Sequence, residues 1–137
     1  MKIESKTGKA AHPASSIYNF IADFRNFDNF IPADKVSDWQ ADIDHCSFRI
    51  DMLGKVRLTI NEKEKGKLVK IISDPEVSQY NFNLWIQFKE VAEKDTRIKV
   101  TIEPLINQVL KAMVKSPLKE FVDSLIDEIE KFNFPDQ

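Results

Sequence analysis

Residues 12–32, HPASSIYNFIADFRNFDNFIP, decide the fold because they predict two short helices directly after an opening strand. Pro13 suits the first position of a helix, where its missing N–H costs nothing. Apolar side chains then recur at the i, i+3, i+4 and i+7 spacing of one helix face, at Ile17, Phe20, Ile21 and Phe24. The apolar spacing resumes after the polar Arg25-Asn26 pair, and Pro32 closes the second helix.

The sequence on either side of these helices has a period of two, which predicts β-strands. Residues 2–11 form a polar alternating strand, and Asp44-His45 marks the first hairpin turn after the helices. Residues 67–72 form a strand of undecided phase, because Leu68 and Ile72 compete with Val69 and Ile71 for the inward face. The other predicted strands lie near residues 38–43, 46–52, 55–60, 82–88 and 97–102. The sequence thus predicts a seven-stranded antiparallel sheet with one solvent-exposed face.

The closing stretch, EPLINQVLKAMVKSPLKEFVDSLIDEIEKF at residues 103–132, predicts one long helix. Pro117 lacks the backbone donor that a helix interior needs, so we expect a kink there or a break near Lys115-Ser116. The apolar stripe that we expect to face the sheet is Ile106, Val109, Met113, Pro117, Phe121, Leu125, Ile129 and Phe132.

Length and composition exclude several classes of protein. The 137 residues fit a single domain, 1–137, and the net charge of −2 comes without the basic cluster that nucleic acid requires. Cys46 is the one cysteine and Gly8, Gly54 and Gly66 the only glycines, which leaves no disulfide, no cysteine-based zinc site and no nucleotide-binding glycine loop. We expect a cytoplasmic protein with no cofactor, no metal, no nucleic-acid partner and no integral membrane segment. The oligomeric state is left open, and a homodimer is compatible with the sequence.

The order of strand, two short helices, six strands and long helix resembles the α+β helix-grip fold of the START and pollen-allergen-like (SRPBCC) superfamily. Residues 12–32 and 103–132 are similar to the opening and the terminal helix of its polyketide cyclase/dehydrase-like branch. The resemblance implies a curved sheet whose concave face is covered by the C-terminal helix. It also implies that any space between them takes apolar or amphipathic molecules.

The strand phases predict an inward set without an ionisable group. It comprises Trp39, Ile43, Phe48, Ile50, Met52, Leu58, Ile60, Phe82, Leu84, Ile86, Phe88, Ile98, Val100 and Ile102, faced by Val109, Met113 and Phe121. Leu84 and Met113 should lie close together. The predicted ligand-binding residues are Phe27, Trp39, Phe48, Ile50, Leu58, Phe82, Leu84, Ile86, Val100, Val109 and Met113.

Chemistry-bearing residues have simpler structural explanations. Cys46 takes an inward strand position and is expected to be a small buried hydrophobe. Asp42, Asp44 and His45 cluster on a turn, where polar residues are common. Trp85 should point to the outer face, over Arg97 or Lys99. The candidates that remain for catalysis lie at the mouth of the predicted pocket: Tyr18, Arg25, Asn26 and Asp28.

Three functions follow from these observations. The leading hypothesis is binding of an apolar or amphipathic small molecule, which could be lipid-, quinone- or polyketide-like, between the sheet and the C-terminal helix, without catalysis. The first alternative is a cyclase/dehydratase-like enzyme, which needs an acid or base in the pocket. The second alternative is a protein-interaction module whose cavity is filled by its own side chains.

Overall fold

The computed structural model describes residues 1–31, 34, 36–50, 54–78 and 80–135. These residues form eight antiparallel strands, two α-helices and one 3₁₀ helix. The strands are β1 (Ile3–Glu4), β2 (Gly8–Ala10), β3 (Val36–Ala41), β4 (His45–Ile50), β5 (Gly54–Glu64), β6 (Leu68–Ser73), β7 (Phe82–Ala92) and β8 (Asp95–Pro104). The helices are α1 (Ala14–Ile21), the 3₁₀ helix (Phe24–Asn29) and α2 (Gln108–Lys131).

The strands are arranged in the order β1-β8-β7-β6-β5-β4-β3, with β2 also paired to β8. Because β1 and β2 share one edge position, the sheet has the seven positions that the sequence predicts. The predicted opening strand, residues 2–11, is divided into β1 and β2. Between them the Ser5 amide donates to Val100 O, and the Ser5 hydroxyl, in place of a backbone carbonyl, accepts from Val100 N. The α+β helix-grip architecture is confirmed.

The short helices follow the opening strand as predicted, and the second of them is a 3₁₀ helix. Asp23 begins it by accepting a hydrogen bond from the Arg25 amide at 3.0 Å. Ile17, Ile21 and Phe24 are fully buried, so the apolar spacing of residues 12–32 does mark a core face. The predicted closure at Pro32 lies outside the described residues.

The inner face of the sheet matches the period-two pattern on most strands. Leu84, Ile86 and Phe88 on β7 lie opposite Ile102, Val100 and Ile98 on β8, and all six are buried. The undecided strand, β6, turns Val69 and Ile71 inward, where they pair with Ile86 and Leu84. Met52, another member of the predicted inward set, lies outside the described residues.

The first hairpin turn corrects one inward assignment. The turn consists of residues 42–44, one step earlier than the predicted Asp44-His45, and His45 already belongs to β4. Asp42 stabilises it by accepting hydrogen bonds from the amides of Asp44 (3.0 Å) and His45 (2.7 Å). Ile43 therefore lies at the turn and is exposed, so its predicted inward position is wrong.

Helix α2 runs through Pro117 without a break at Lys115-Ser116, so of the two predicted outcomes the break is wrong and the kink stays a prediction. Asn107 caps its start by accepting a hydrogen bond from the Leu110 amide at 3.0 Å. The helix packs on β8, β2 and β1. Its buried side chains are Val122, Ile126 and Ile129.

Candidate functional site

One end of the concave face is filled by the short helices and the C-terminal tail. Tyr18 meets Phe88 edge to face at 6.3 Å, which fixes α1 on β7. The Phe24 amide donates to Ile43 O at 3.0 Å, which fixes the 3₁₀ helix beside the first hairpin. An aromatic cluster completes this filled end: Phe20, Phe30, Phe132 and Phe134, with His12 against Phe134.

The opposite end of the concave face is less covered, and we call it the open end. It lies where β6 leads into β7 and β8 leads into α2, two connections joined by the hydrogen bond from Leu105 N to Asn81 O at 2.8 Å. Trp39, which stacks on Phe48 at 5.5 Å, is only half-buried. The other half-buried apolar residues here are Val36, Ile50 and Phe82.

Two serines hold the rim of the open end in place. The Ser73 hydroxyl donates to Asn81 Oδ1 at 2.9 Å and accepts from the Phe82 amide at 2.9 Å. The Ser78 hydroxyl accepts from the Arg57 amide at 3.0 Å. Both hydroxyls are thus engaged in joining residues 74–81 to the neighbouring strands, and the rim is a structural network.

Cys46 is the group with nucleophilic chemistry nearest to this face. It is buried opposite Leu58, as the strand phase predicts. Burial raises the pKa of its thiol to about 12, because a thiolate there would lose its hydration. The thiol therefore stays protonated at neutral pH and is a poor nucleophile.

The mouth residues considered for catalysis are largely held by structural contacts. The Arg25 guanidinium forms a two-point contact with Asp23, with the shorter bond at 2.7 Å. This hydrogen-bonded pair lowers the pKa of Asp23. The Asn26 amide donates to Phe20 O at 3.0 Å, Tyr18 is buried, and Asp28 is exposed.

Helix α2 reaches the open end with only part of its length anchored. The anchored half, residues 119–131, follows the first edge of the sheet: Lys119 Nζ donates to Glu4 O at 2.8 Å, and Glu130 accepts from Lys9 N at 2.8 Å. The helix rises about 16 Å from Lys119 to Glu130, and the strand segment from Glu4 to Lys9 is also about 16 Å long. The bare half, residues 108–118, extends beyond β1, and no side-chain bond to the sheet occurs there among the described contacts.

The bare half turns Val109 and Met113 away from the sheet, whereas its last residue, Leu118, packs against the core. Phe121, near the start of the anchored half, is 48% exposed, so its predicted position facing the sheet is wrong. Val109 is 74% exposed and Met113 70%, so their predicted contact with the inner face is wrong, as is the pairing of Met113 with Leu84. At about 100° per residue, both lie about 150° around the helix from the buried side of the anchored half. Between Val109 and Ile129 the predicted stripe has a four-residue spacing, which drifts by about 40° per step and so winds around the helix.

The other predicted ligand residues lie where the strand pattern puts them. Phe27 is buried in the 3₁₀ helix, and the half-buried Trp39, Ile50 and Phe82 surround the open end. Buried on the inner face are Phe48, Leu58, Leu84, Ile86 and Val100. Leu125, a member of the predicted stripe, packs against the core as expected. Sequence reasoning missed Leu118, which also packs there from α2. A 3.6-residue period counted back from Ile129 would have found Leu118.

Two broad surface depressions occur among the described residues. One, of about 570 Å³, is lined by the β5–β6 hairpin and the adjoining part of β7 around Phe88. The other, of about 450 Å³, lies on the outer face around Ser47 and Arg57. Neither is lined by any of the predicted ligand-binding residues.

The outer face contains the second tryptophan. Trp85 points outward as predicted, but its ring lies under Lys2 and Lys70, whose ammonium groups are 4.7 and 5.5 Å from the ring centre. The predicted contact with the stems of Arg97 or Lys99 stays a prediction. The two tryptophans thus mark opposite faces of the sheet. Separately, the described helices include none with the length and apolarity to span a membrane.

No protein-family model matches the chain, and neither does any curated protein sequence. Solved structures do match. A START superfamily protein from Mycobacterium smegmatis aligns with a TM-score of 0.67 at 10% identity, covering 96% of this chain and 99% of that one. A norcoclaurine synthase point mutant from Thalictrum flavum, in complex with a transition-state analogue, aligns with a TM-score of 0.72 at 13% identity, covering 96% and 92%.

A protein from Chromobacterium violaceum aligns with a TM-score of 0.69 at 11% identity, covering 98% of this chain and 99% of that one. At such identities the likeness is one of fold. It does not distinguish the polyketide cyclase/dehydrase-like branch, which stays a prediction. The chain has the START-like helix-grip fold that also includes the norcoclaurine synthase.

Proposed function

We propose that this protein binds an apolar or amphipathic small molecule, lipid-, quinone- or polyketide-like, at the open end of the concave face, without catalysing a reaction. The observation that carries the proposal is that Trp39, Ile50 and Phe82 are only half-buried, at the end of the concave face opposite the short helices. A ligand over these side chains would remove apolar surface from water, which contributes about 25 cal/mol per Å².

The way that α2 is held supports the same site. Its anchored half fixes the helix to the sheet edge, whereas residues 108–118 lack such bonds among the described contacts. A modest outward movement of the bare half would widen the gap above Phe82 without breaking the Lys119 or Glu130 contacts. Leu118 would then line the ligand from the helix side.

The chemistry of the open end favours binding over the cyclase/dehydratase-like alternative. General acid or base catalysis needs a group that exchanges a proton near neutral pH. The polar inner-face side chains described at this end are Cys46 and Ser73. The pKa of Cys46 is raised to about 12, and the Ser73 hydroxyl is engaged with Asn81 and Phe82. This set suits recognition of an apolar surface.

The two tryptophans allow a direct test with dibromostearic acid, whose bromines quench tryptophan emission at contact range. We would use Trp85→Phe, which leaves Trp39 as the reporter, and Trp39→Phe, which leaves Trp85. We expect saturable quenching of Trp39 emission and little quenching of Trp85 emission, because the two rings lie on opposite faces. Unbrominated stearic acid added at the same concentration should compete and restore the signal.

Ile50→Asp provides a blocking variant, with Arg49→Asp as its neighbour on the outer face. A carboxylate beside Trp39 should weaken quenching at least tenfold, because the ligand would have to desolvate it. Arg49→Asp should leave quenching nearly unchanged. Equal quenching of both tryptophans, or none with folded protein, would contradict the proposal. Native mass spectrometry of the purified protein would then seek a co-purified ligand of another class.

A further inference from the structure

The bare half of α2 carries an exposed apolar face, formed by Val109, Leu110 and Met113, which we call the outward face. Their exposed fractions are 74%, 39% and 70%. Leu105, also exposed, precedes the helix and extends the same patch toward the open end. The outward face belongs to a regular helix with a defined N-cap at Asn107, so it is a preformed surface.

The boundary between the bare half and the anchored half of α2 also separates two regions of different charge. Residues 108–118 contain Lys111 and Lys115 and no acidic residue. Residues 119–131 contain five acidic side chains against two lysines: Glu120, Asp123, Asp127, Glu128 and Glu130, with Lys119 and Lys131. Among the described contacts, neither Lys111 nor Lys115 has a carboxylate partner, whereas Lys119 contacts Asp123 and Lys131 contacts Glu128.

Helical geometry places these two lysines on the side opposite the outward face. At about 100° per residue, Lys111 and Lys115 point in the direction that Val122 and Ile129 take in the anchored half. The bare half therefore exposes apolar residues on one side, and the charges on its other side, which also carries the half-buried Leu118, are only positive. This combination is typical of helices that lie in the surface of an anionic membrane.

We propose that the bare half of α2 docks on the surface of an anionic phospholipid bilayer, with the outward face buried at the headgroup boundary. Lys111 and Lys115, about one helix diameter behind that face, lie about one Debye length from the lipid charge at about 0.1 M salt and add a screened electrostatic attraction. The net charge of the protein is −2, so the attraction comes from this local excess of lysine.

Charge complementarity favours lipid over another occupant. A protein partner with its own apolar patch would satisfy Met113 and Val109 but would give no reason for the absence of acidic residues in this half alone. A second copy of this chain, paired symmetrically through the outward face, would leave the lysines on the far sides of the two helices, with no acidic partner from either bare half. An anionic lipid surface satisfies both the apolar and the charged side of the helix.

The test is co-sedimentation of the full chain with vesicles. Vesicles of phosphatidylcholine containing phosphatidylserine should pellet the protein, phosphatidylcholine vesicles should pellet much less, and high salt should release it. Met113→Asp should weaken binding about tenfold or more, since it puts a charge on the outward face. Met113→Leu should preserve binding. The Lys111→Glu, Lys115→Glu double variant should weaken binding to the phosphatidylserine vesicles at least tenfold.

Lys65→Glu at the tip of the β5–β6 hairpin is the control for charge alone and should bind within about twofold of the original chain. Absence of pelleting, or pelleting unaffected by Met113→Asp, would overturn the proposal. A dimer in size-exclusion chromatography that Met113→Asp dissociates, without vesicle binding, would assign the outward face to a second copy and also overturn it. Because the stearate experiment needs no vesicles, either proposal can fail while the other stands.

Discussion

The two halves of α2 have the same helical backbone but different relations to the sheet. In the anchored half, Val122, Ile126 and Ile129 are buried, and four polar contacts join residues 119–130 to the first edge of the sheet through Glu4, Lys6 and Lys9. In the bare half, Val109 and Met113 are largely exposed. One helix can thus hold the fold together with half its length and offer a surface with the other half.

The physical cause of the difference is the angular position of the apolar residues. In the anchored half they recur at three- and four-residue intervals, which keeps them on one side of the helix. In the bare half Val109 and Met113 lie on the other side, and Lys111 takes the direction of the sheet. Because the apolar residues of the two halves lie on different sides, packing the anchored half on the sheet leaves Val109 and Met113 exposed to solvent.

The largest expected effect in this comparison is that of a buried charge. Ile126→Asp should lower the free energy of unfolding by several kcal/mol, because its side chain is fully buried, and so should unfold much of the protein. Met113→Asp makes a related change in the bare half and should cost no more than about 1 kcal/mol, mostly in helix propensity. Urea melts of both variants measure the contrast. Equal losses would contradict the division of α2 into two halves.

The next effect concerns how closely the anchored half approaches the sheet. A Cβ at Gly8 would lie 2.7 Å from Ile126 Cγ2, so Gly8→Ala should destabilise by about 1 to 3 kcal/mol through overpacking. Adding Ile126→Ala removes the atom that clashes, and the double variant should lose less than the sum of the two single losses. Thermal melts of all four proteins complete the cycle. Simple additivity would show that Gly8 and Ile126 do not meet.

A smaller effect is expected from the polar contacts of the anchored half. The amide of Lys6 donates to Asp123 at 2.7 Å, and this bond is the main cause of the lowered pKa of Asp123. Asp123→Asn should cost about 1 kcal/mol or less at neutral pH, since the group is near the surface.

The pH dependence of that cost has a definite sign. Because the pKa of Asp123 is lower in the folded chain than its ordinary value of 3.8, its stabilisation is fully present above that value. It is lost as the pH falls through the folded-state pKa. Urea melts at neutral pH and well below pH 3.8 should therefore show the difference between Asp123→Asn and the original chain shrinking in acid. A difference that grows in acid would contradict the assignment.

The smallest free energy in this comparison is that of local opening of the bare half. Backbone amides of residues 113–115 should exchange with deuterium through local opening, at about 0 to 2 kcal/mol, because little apolar packing opposes fraying there. Amides of residues 125–127 should approach the protection of the whole fold. Hydrogen exchange followed by mass spectrometry resolves the two segments. Binding to anionic vesicles should raise protection in the bare half alone.

The strands show how far sequence reasoning reaches. Period two placed Leu84 and Val100 on the inner face because polar neighbours mark the other side of each strand. The same rule could not phase β6, where both alternating sets are apolar. Pairing with β7 decides it, by setting Ile71 opposite Leu84 and Val69 opposite Ile86. The residues of the candidate site on strands were therefore predicted, whereas Leu118 on α2 was missed because a four-residue spacing was followed in place of the 3.6-residue helical period.

The sequence by itself determined the order of the elements, the inner face of most strands and the apolar character of the concave surface. These follow from local periodicity and turn residues, which act within a few positions of the chain. Only the tertiary structure decided that α2 is anchored through residues 119–131 and that Val109 and Met113 point outward. Both depend on which side of the helix meets Gly8 and Ile126, and that contact joins residues more than a hundred positions apart.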